Sequence, residues 1–290
     1  MSISNLSQRR IEYLKRTYDT LSKGKENLLQ LINESEIAES VYNSNAIENS
    51  TLTLKETEKI LLEMELARNI SLREVYEAKN LARVMDYIKT RTQEREVDEE
   101  LILFLHKMLM SGINDKIAGR FRGKNEYVRI GSFIAPPPGH VRSLIESLIL
   151  EYKSSVTSFF LDRIVKFHLE FETIHPFVDG NGRIGRALVN YQLLRLGFPS
   201  IIIRDKEKKL YYESFTEYRD DKKTSKGEYV ITLGLIESLH KRIAYLEGRT
   251  IKTLSDYVKK QDKSFRSLLN CAKRQTISAF REKGVWKIGI

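Results

Sequence analysis

The chain has 290 residues, 41% of them hydrophobic and 30% charged, and a net charge of +10. This composition is typical of a globular protein that can bury a sizeable core, and only five prolines and fifteen glycines argue against long disordered linkers. The single Cys271 excludes an internal disulfide, no apolar signal segment is visible, and the longest apolar run, at 101–105, is too short to span a bilayer. We therefore expect a cytoplasmic protein without a membrane partner.

The spacing of apolar residues predicts helices along most of the chain, so the expected fold class is mainly α. A helical period runs through 8–33 and through 35–48, and Thr53 resembles the N-terminal cap of a helix that ends near Leu66. Further helices are predicted over 71–91, 98–111, 141–155, 159–173, 183–196, 205–220 and 227–247.

Residues 119–140 break this pattern. Bulky and polar residues alternate there between glycines, which predicts a β-hairpin rather than a helix. The triple proline 136–138 ends the hairpin and enforces an extended segment.

The last forty residues, 251–290, carry much of the positive charge. They hold ten Lys/Arg and three Asp/Glu, which gives 10 − 3 = +7. A short helix at 253–259, a basic helix at 270–281 and a strand-like tail at 284–290 resemble a small winged-helix-like module.

Such a module predicts a nucleic acid partner, contacted through Lys273, Arg274 and Arg281. Two plainer interpretations stay open. The positive charge is a solvated face, or the segment is a cap that packs Phe280 and Trp286 onto the main domain.

The most informative stretch is 175–186, which reads HPFVDGNGRIGR. Gly180 and Gly182 allow positive φ and a close approach to a ligand, and consecutive backbone N–H groups make an anion-binding concavity. Arg183 and Arg186 share one face of a following helix, and their planar forks of donors suit phosphate oxygens. These residues predict a phosphate site.

The same stretch supplies a base and a carboxylate. His175 lies where Pro176 ends a helix, and a histidine can accept a proton at neutral pH. Asp179 is the type of ligand that Mg²⁺ uses, and the side-chain amide of Asn181 is expected to face phosphate. Positioning and charge neutralisation are what phosphoryl-type transfer requires.

Several residues near this stretch are expected to be structural. Phe167, Phe171 and Ile174 occupy the inner side of the preceding helix and should form core. The remaining histidines are expected to be packed, hydrogen-bonded residues; they are His106, His140, His168 and His240.

The stretch fits the signature of Fic-domain proteins, H-P-F-x-[D/E]-G-N-G-R-x-x-R, at every defined position. The resemblance implies a Fic-type helical bundle with a β-hairpin flap. It also implies transfer of AMP from ATP to a Ser, Thr or Tyr hydroxyl of a protein, with release of pyrophosphate. In that scheme His175 is the general base and Asp179 the Mg²⁺ ligand. Residues 180–183 cradle phosphates, and Arg186 contacts the terminal phosphate.

The resemblance extends over about 35–245. Residues 119–140 resemble the flap that pairs with the backbone of the target protein. Four flap residues would face the nucleotide; they are Val128, Arg129, Ile130 and Gly131. Tyr211 matches a position that packs on adenine, although a core tyrosine is an open alternative.

A second motif lies upstream. Ser44, Glu48 and Asn49 fit the pattern [S/T]-x-x-x-E-[G/N] of the family's inhibitory helix, here at about 35–49. The resemblance implies that Glu48 pairs with Arg186 and withdraws it from the γ-phosphate, so that ATP binds with its α-phosphate misplaced.

These expectations divide the chain into an N-terminal helical region (1–95), a Fic core (96–248) and a C-terminal helix-turn-helix-like module (249–290). Two other functions stay open. The site could remove AMP or transfer another phosphate-containing group, or the chain could be a DNA-binding regulator or toxin–antitoxin component. The sequence does not decide whether the chain forms a homo-oligomer.

Overall fold

The computed structural model describes residues 3–63, 70–259 and 264–290. The α-helices are α1 (Asn5–Ser22), α2 (Glu26–Ile47), α3 (Leu54–Glu58), α4 (Leu72–Arg91), α5 (Glu99–Met110), α6 (Val141–Ser154), α7 (Phe160–Ile174), α8 (Asn181–Arg195), α9 (Lys208–Asp221), α10 (Ser225–Leu246), α11 (Leu254–Val258) and α12 (Phe265–Lys273). The strands are β1 (Arg129–Ile130), β2 (Phe133–Ile134), β3 (Ile251–Thr253), β4 (Ala279–Glu282) and β5 (Val285–Gly289). The mainly α prediction is confirmed.

The boundary between the first two helices was predicted wrongly. The chain turns at 23–25 rather than near 34, because Gly24 adopts φ +72° and ends α1. No breaker follows within 26–47, so α2 runs without interruption to the residue before Glu48. Thr53 does cap the next helix, through a capping box with Glu56.

The predicted end of that helix at Leu66 lies outside the described residues. In the part that the structure describes, a single π-helical turn, Lys59–Glu63, continues from α3.

Two apolar clusters meet at the central helices α7 and α8. The first joins α4, α5 and α6 to one side of this pair, and the second joins α1, α9 and α10 to the other. Phe167, Phe171 and Ile174 are at most 2% exposed, as expected for core residues. The loop 175–180 connects α7 to α8, so the packed pair fixes both ends of the motif.

The hairpin at 119–140 is shorter than predicted. Its ladder consists of β1 and β2, in which Arg129 pairs with Ile134 and Ile130 with Phe133, around Gly131 at φ +60°. Residues 119–127 instead form turns in which Arg120 and Glu126 make an ion pair.

The C-terminal residues form their own small apolar cluster around α11, α12 and an antiparallel sheet of order β3-β5-β4. The predicted helix at 270–281 is wrong: α12 ends at Lys273, Gln275 takes φ +53°, and 279–282 form β4. Phe280 is fully buried beside Tyr245 of α10, so this segment packs on the main domain as the alternative expected.

One of the three residues predicted to contact nucleic acid, Arg281, is not available for that contact. Arg281 forms ion pairs with Glu237 and Glu207, and its side chain is only 12% exposed, because it anchors the module to α10. Lys273 and Arg274 are exposed, and nucleic acid binding through them stays a prediction.

None of the helices within 3–63, 70–259 and 264–290 is both long and apolar enough to cross a membrane.

Candidate active site

His175 follows the last residue of α7 and adopts a left-handed conformation, with φ +51° and ψ +62°. Its N–H still donates to Phe171 O at 2.9 Å, while Pro176 prevents the helix from continuing. Burial lowers the pKa of the His175 imidazole to about 4. The ring is therefore neutral at physiological pH and able to accept a proton.

Arg122 holds the backbone of this turn. It is 4% exposed, and its Nε donates to His175 O at 2.8 Å while its Nη2 donates to Ile174 O at 3.2 Å and Pro136 O at 2.9 Å. One guanidinium thus ties the end of α7 to the segment after the hairpin.

The turn between Phe177 and Asn181 is closed by the Asn181 side chain. Its Oδ1 accepts the N–H of Phe177 at 2.8 Å and its Nδ2 donates to Phe177 O at 2.9 Å. Asn181 is 2% exposed, so the expectation that its amide faces phosphate is wrong. The amide shapes the loop and leaves the backbone N–H groups at the start of α8 to face a ligand.

The two glycines of the turn have different roles. Gly180 takes φ +85° as the N-cap of α8, as predicted. Gly182 is already helical, and its contribution is space: a Cβ there would lie 2.2 Å from Glu48 Oε1. The expectation of positive φ at Gly182 is therefore wrong, and the helix begins at Asn181 rather than at Arg183.

Asp179 lies at the mouth of the loop with its side chain 34% exposed. Its Oδ1 accepts from Arg183 Nη2 at 3.0 Å and its Oδ2 from Arg73 Nη2 at 2.6 Å. Burial alone would raise the pKa of this carboxyl, but the two arginines bring it below its usual value. Asp179 is therefore an anion.

A single anionic carboxylate fits Mg²⁺, which uses few protein ligands and takes the rest from phosphates and water. Arg73 is more than half exposed and can leave Oδ2. Among the described residues, no group of three or more His, Cys, Asp or Glu side chains could hold a metal ion. A metal ion bound by Asp179 would therefore take its other ligands from phosphates and water.

Arg183 is buried, with its side chain 4% exposed. Its guanidinium pairs with Glu77 of α4 at 3.1 Å as well as with Asp179. In this arrangement the side chain of Arg183 orients the Asp179 carboxylate. Only the backbone N–H of Arg183, in the first turn of α8, is left to face a ligand.

Arg186 meets α2. Its Nη2 donates to Glu48 Oε1 and to Ser44 O, each at 2.8 Å, and its Nε donates to Ser44 Oγ at 2.9 Å. Arg186 is 3% exposed, whereas the Glu48 side chain is 35% exposed. The ion pair that the resemblance implied is therefore formed, across 138 residues of sequence.

Asn49 ends α2 in the left-handed region, with φ +68°. Glycine and asparagine are the residues that most readily adopt this conformation at the C-terminus of a helix. Lys208 donates to Asn49 Oδ1 at 2.8 Å and so fixes the residue after Glu48 to α9.

Tyr211 was proposed to pack on adenine. It is 2% exposed, and its hydroxyl contacts His168 Nε2 at 2.8 Å, so neither face of its ring is open to a purine. The alternative, a core tyrosine, is what the structure shows. Tyr212, the next residue, is 39% exposed and donates to Ile47 O at the end of α2.

The hairpin lies on the His175 side of the site. Arg219 of α9 stacks over the Phe133 ring at 4.9 Å and is one of the charges that lower the pKa of His175. Arg122 connects the segment after the hairpin, at Pro136 O, to the His175 carbonyl.

Comparisons with known proteins agree with this geometry. The Fic/DOC family model matches residues 96–193. The chain carries a domain of the Fic/DOC family. It is 32% identical over 217 residues to the protein adenylyltransferase Fic of Drosophila erecta, covering 72% of this chain and 43% of that relative. The chain thus spans less than half the length of the curated relatives it matches.

Solved structures match the fold over most of the chain. A Fic domain containing signaling protein from Bacteroides thetaiotaomicron is 27% identical with a TM-score of 0.74, covering 83% of this chain and 97% of that one. A Fic family protein from Desulfovibrio desulfuricans has a TM-score of 0.70 at 18% identity, covering 100% and 97%. The expected Fic-type bundle is confirmed.

Sequence reasoning missed four residues of this Fic domain. Arg73 and Arg122 reach the loop only through tertiary packing, and no local pattern marks them. His106 was expected to be merely packed. It stacks on Phe177 at 3.6 Å and its Nε2 lies 3.0 Å from Asp179 O. Glu172 had a signal: it is a carboxyl on the apolar face of α7, three residues before His175.

Proposed function

We propose that the chain is a protein adenylyltransferase that transfers AMP from ATP to a Ser, Thr or Tyr hydroxyl of a target protein. The observation that carries this proposal is the loop 175–186. This loop contains a neutral histidine, an anionic carboxylate and the start of α8. The 32% identity to a relative named protein adenylyltransferase supports the same reaction.

In this proposal the phosphates of ATP lie on the backbone N–H groups at the start of α8, where the helix dipole favours negative charge. Asp179 would contribute a carboxylate oxygen to a Mg²⁺ that arrives with the triphosphate and neutralises part of its charge. Arg186, once free of Glu48, is the buried cation available to a terminal phosphate.

His175 performs the proton transfer. Its imidazole accepts the proton of the target hydroxyl as the oxygen forms a bond to the α-phosphorus of ATP. The bond between that phosphorus and the α,β-bridging oxygen breaks, and pyrophosphate leaves. The products are the AMP ester of the target and protonated His175.

The β1–β2 hairpin is the proposed docking edge for the target. Strand addition relies on backbone hydrogen bonds, so it holds an extended segment beside His175 with little dependence on side chains. Tyr127 and Ile134 are each 65% exposed and would flank that segment.

Glu48 is the proposed inhibitor. It occupies the guanidinium of Arg186 and also fills the space over Gly182, so both the cation and the backbone it covers are withheld from ATP. Removing the side chain should therefore raise transfer.

The test is labelling with ATP that carries a radioactive α-phosphate, in the presence of Mg²⁺, first on the chain itself. The Glu48→Gly protein should label at least tenfold faster than the unaltered chain, since an ion pair of about 1.4 kcal/mol corresponds to a factor of ten. Glu48→Gln, which keeps the shape and removes the charge, should lie between them.

His175→Ala in the Glu48→Gly protein is expected to abolish labelling. Equal labelling with and without His175 would sink the mechanism, while equal rates with and without Glu48 would sink only the inhibition. Removal of AMP from a pre-modified protein, without labelling from ATP, would assign the reverse reaction.

A further inference from the structure

Glu172 is a buried carboxyl that the proposed mechanism does not use. It lies on α7 one turn before His175 and is 6% exposed. Its Oε2 is 3.9 Å from His175 Nδ1, and no described residue offers a hydrogen-bond partner to its Oε1. The carboxyl therefore lies beside the base with its buried Oε1 unpartnered.

The neighbouring helix leaves room for this carboxyl. A Cβ on Gly185 of α8 would lie 2.3 Å from Glu172 Oε1, so only glycine permits Glu172 to occupy this place. His168 lies on the other side, 3.1 Å from the same Cβ position. The absence of a side chain at Gly185 therefore makes the room that the Glu172 carboxyl occupies.

Stability does not explain Glu172. Burial raises the pKa of its carboxyl to about 8; Arg186 lowers it and Glu48 raises it. A buried polar atom without a partner costs free energy, and an apolar side chain of similar size would be less costly. Because this carboxyl lowers the stability of the folded chain, its presence indicates a role in the active site.

The geometry at His175 Nδ1 shows what that role is. Nδ1 lies 3.3 Å from Glu172 O and 3.9 Å from Glu172 Oε2, so two oxygens of one residue face it. Glu172 O can accept from an N–H at Nδ1, and this tautomer leaves the lone pair of Nε2 for the target hydroxyl. Oε2 is beyond hydrogen-bond distance but within reach of a charge interaction with the ring. An anionic carboxylate there would also stabilise the imidazolium that forms on proton transfer.

We propose that Glu172 is a positioning residue for His175: its backbone carbonyl fixes the tautomer with the proton on Nδ1, and its carboxylate stabilises the protonated ring. This rests on the proposed function, because the protonated ring forms during transfer. Among the described residues, the other charged or titratable groups around the pair are Glu48, Arg122, His168, Arg186, Tyr211, Tyr212 and Arg219.

The first test is independent of activity. Nitrogen NMR of the full chain with ¹⁵N-labelled histidine reports the tautomer and the titration of His175. In the unaltered chain the proton should be on Nδ1, and the His175 signals should shift again near pH 8 as Glu172 ionises. Glu172→Gln should remove that second shift, because a neutral amide does not ionise, while the titration of His175 itself should persist, because Glu172 is already neutral at the pH where His175 binds its proton.

The second test uses transfer in the Glu48→Gly protein. Its rate should rise as the pH approaches about 8, where Glu172 becomes an anion. Glu172→Gln should lack this rise and lose about tenfold or more in kcat, within the range that a base and its support contribute, with KM for ATP unchanged. Glu146→Gln, a change at an exposed position of α6, is the control and should alter neither quantity.

A shift of the His175 signals near pH 8 and a rise in rate toward pH 8 that both persist in Glu172→Gln would overturn the proposal and leave Glu172 as a space-filling residue. If Glu172→Gln does not fold, the shift of the His175 signals near pH 8 in the unaltered chain still decides between the two. If the Glu48→Gly protein transfers no AMP, the proposed function fails, while the NMR titration continues to test whether Glu172 supports His175.

Discussion

Mild acid should destabilise this protein through its buried histidines. His106, His168 and His240 are at most 5% exposed. Burial lowers their pKa values to about 4, 3 and 4. Burial keeps each ring neutral, and at His106 the N–H of Gly119 also donates to Nδ1 at 3.0 Å.

The direction of the pH effect on stability follows from the protonation of these histidines in the folded and unfolded states. The unfolded chain binds a proton at each histidine below about pH 6.5, whereas the folded chain does not until its lowered pKa is reached. Stability is thus fully present above about 6.5 and is lost as the pH falls toward 4. Between about pH 7 and 5 each histidine costs about 1.8 kcal/mol, so the three together cost about 5 kcal/mol. His175, whose pKa burial also lowers to about 4, adds about 1.8 kcal/mol.

Glu172 opposes this loss. Its raised pKa means that the folded carboxyl is protonated while the unfolded one is ionised, which destabilises the folded state near neutral pH. Acidification from about pH 7 to 5 therefore regains about 2.5 kcal/mol. The net loss of about 4–5 kcal/mol is a large part of the 5–15 kcal/mol that is typical of a folded domain.

The assay is urea unfolding of the full chain at a series of pH values. His240→Gln should flatten the fall in unfolding free energy by about 1.8 kcal/mol over this range, and His140→Gln, at an exposed position, should leave it unchanged. An unfolding free energy that stays constant or rises between pH 7 and 5 would refute the reasoning.

Two further predictions concern packing. Glu237→Ala should lower the unfolding free energy by about 3–5 kcal/mol in thermal melts, because it breaks the ion pairs of Glu237 with two buried arginines and leaves each with a single carboxylate partner. Glu213→Ala, which breaks an exposed pair, should cost about 1 kcal/mol or less in the same melts. Gly182→Ala should displace the partly exposed Glu48 side chain from Arg186 and cost about 1 kcal/mol or less, because Oε1 is the end of a flexible side chain that can move. A double-mutant cycle should show that this cost largely disappears in the Glu48→Gly protein, and a cost that persists unchanged would place the clash elsewhere.

The features that the sequence predicted correctly are those that depend on neighbours along the chain. Helical periods located most helices to within one or two residues. The contiguous motif at 175–186 placed His175 at a helix end and Asp179 in the loop. The contact between Glu48 and Arg186 was anticipated because a second short motif carried it, not because the spacing of 138 residues indicates a contact.

The tertiary structure decided which chemical groups are available at the site. Whether Asn181 faces phosphate or closes its own turn depends on how Phe177 is buried, and whether Tyr211 is open depends on the packing of α9 against α7. Arg73 and Arg122 reach the loop from elements 50 to 110 residues away in sequence. Hydrogen bonds and ion pairs between elements depend on packing, which periodicity along one element does not encode. The sequence by itself determined the loop and its base, and the fold determined which side chains support that base and which hold Asp179 and Arg186.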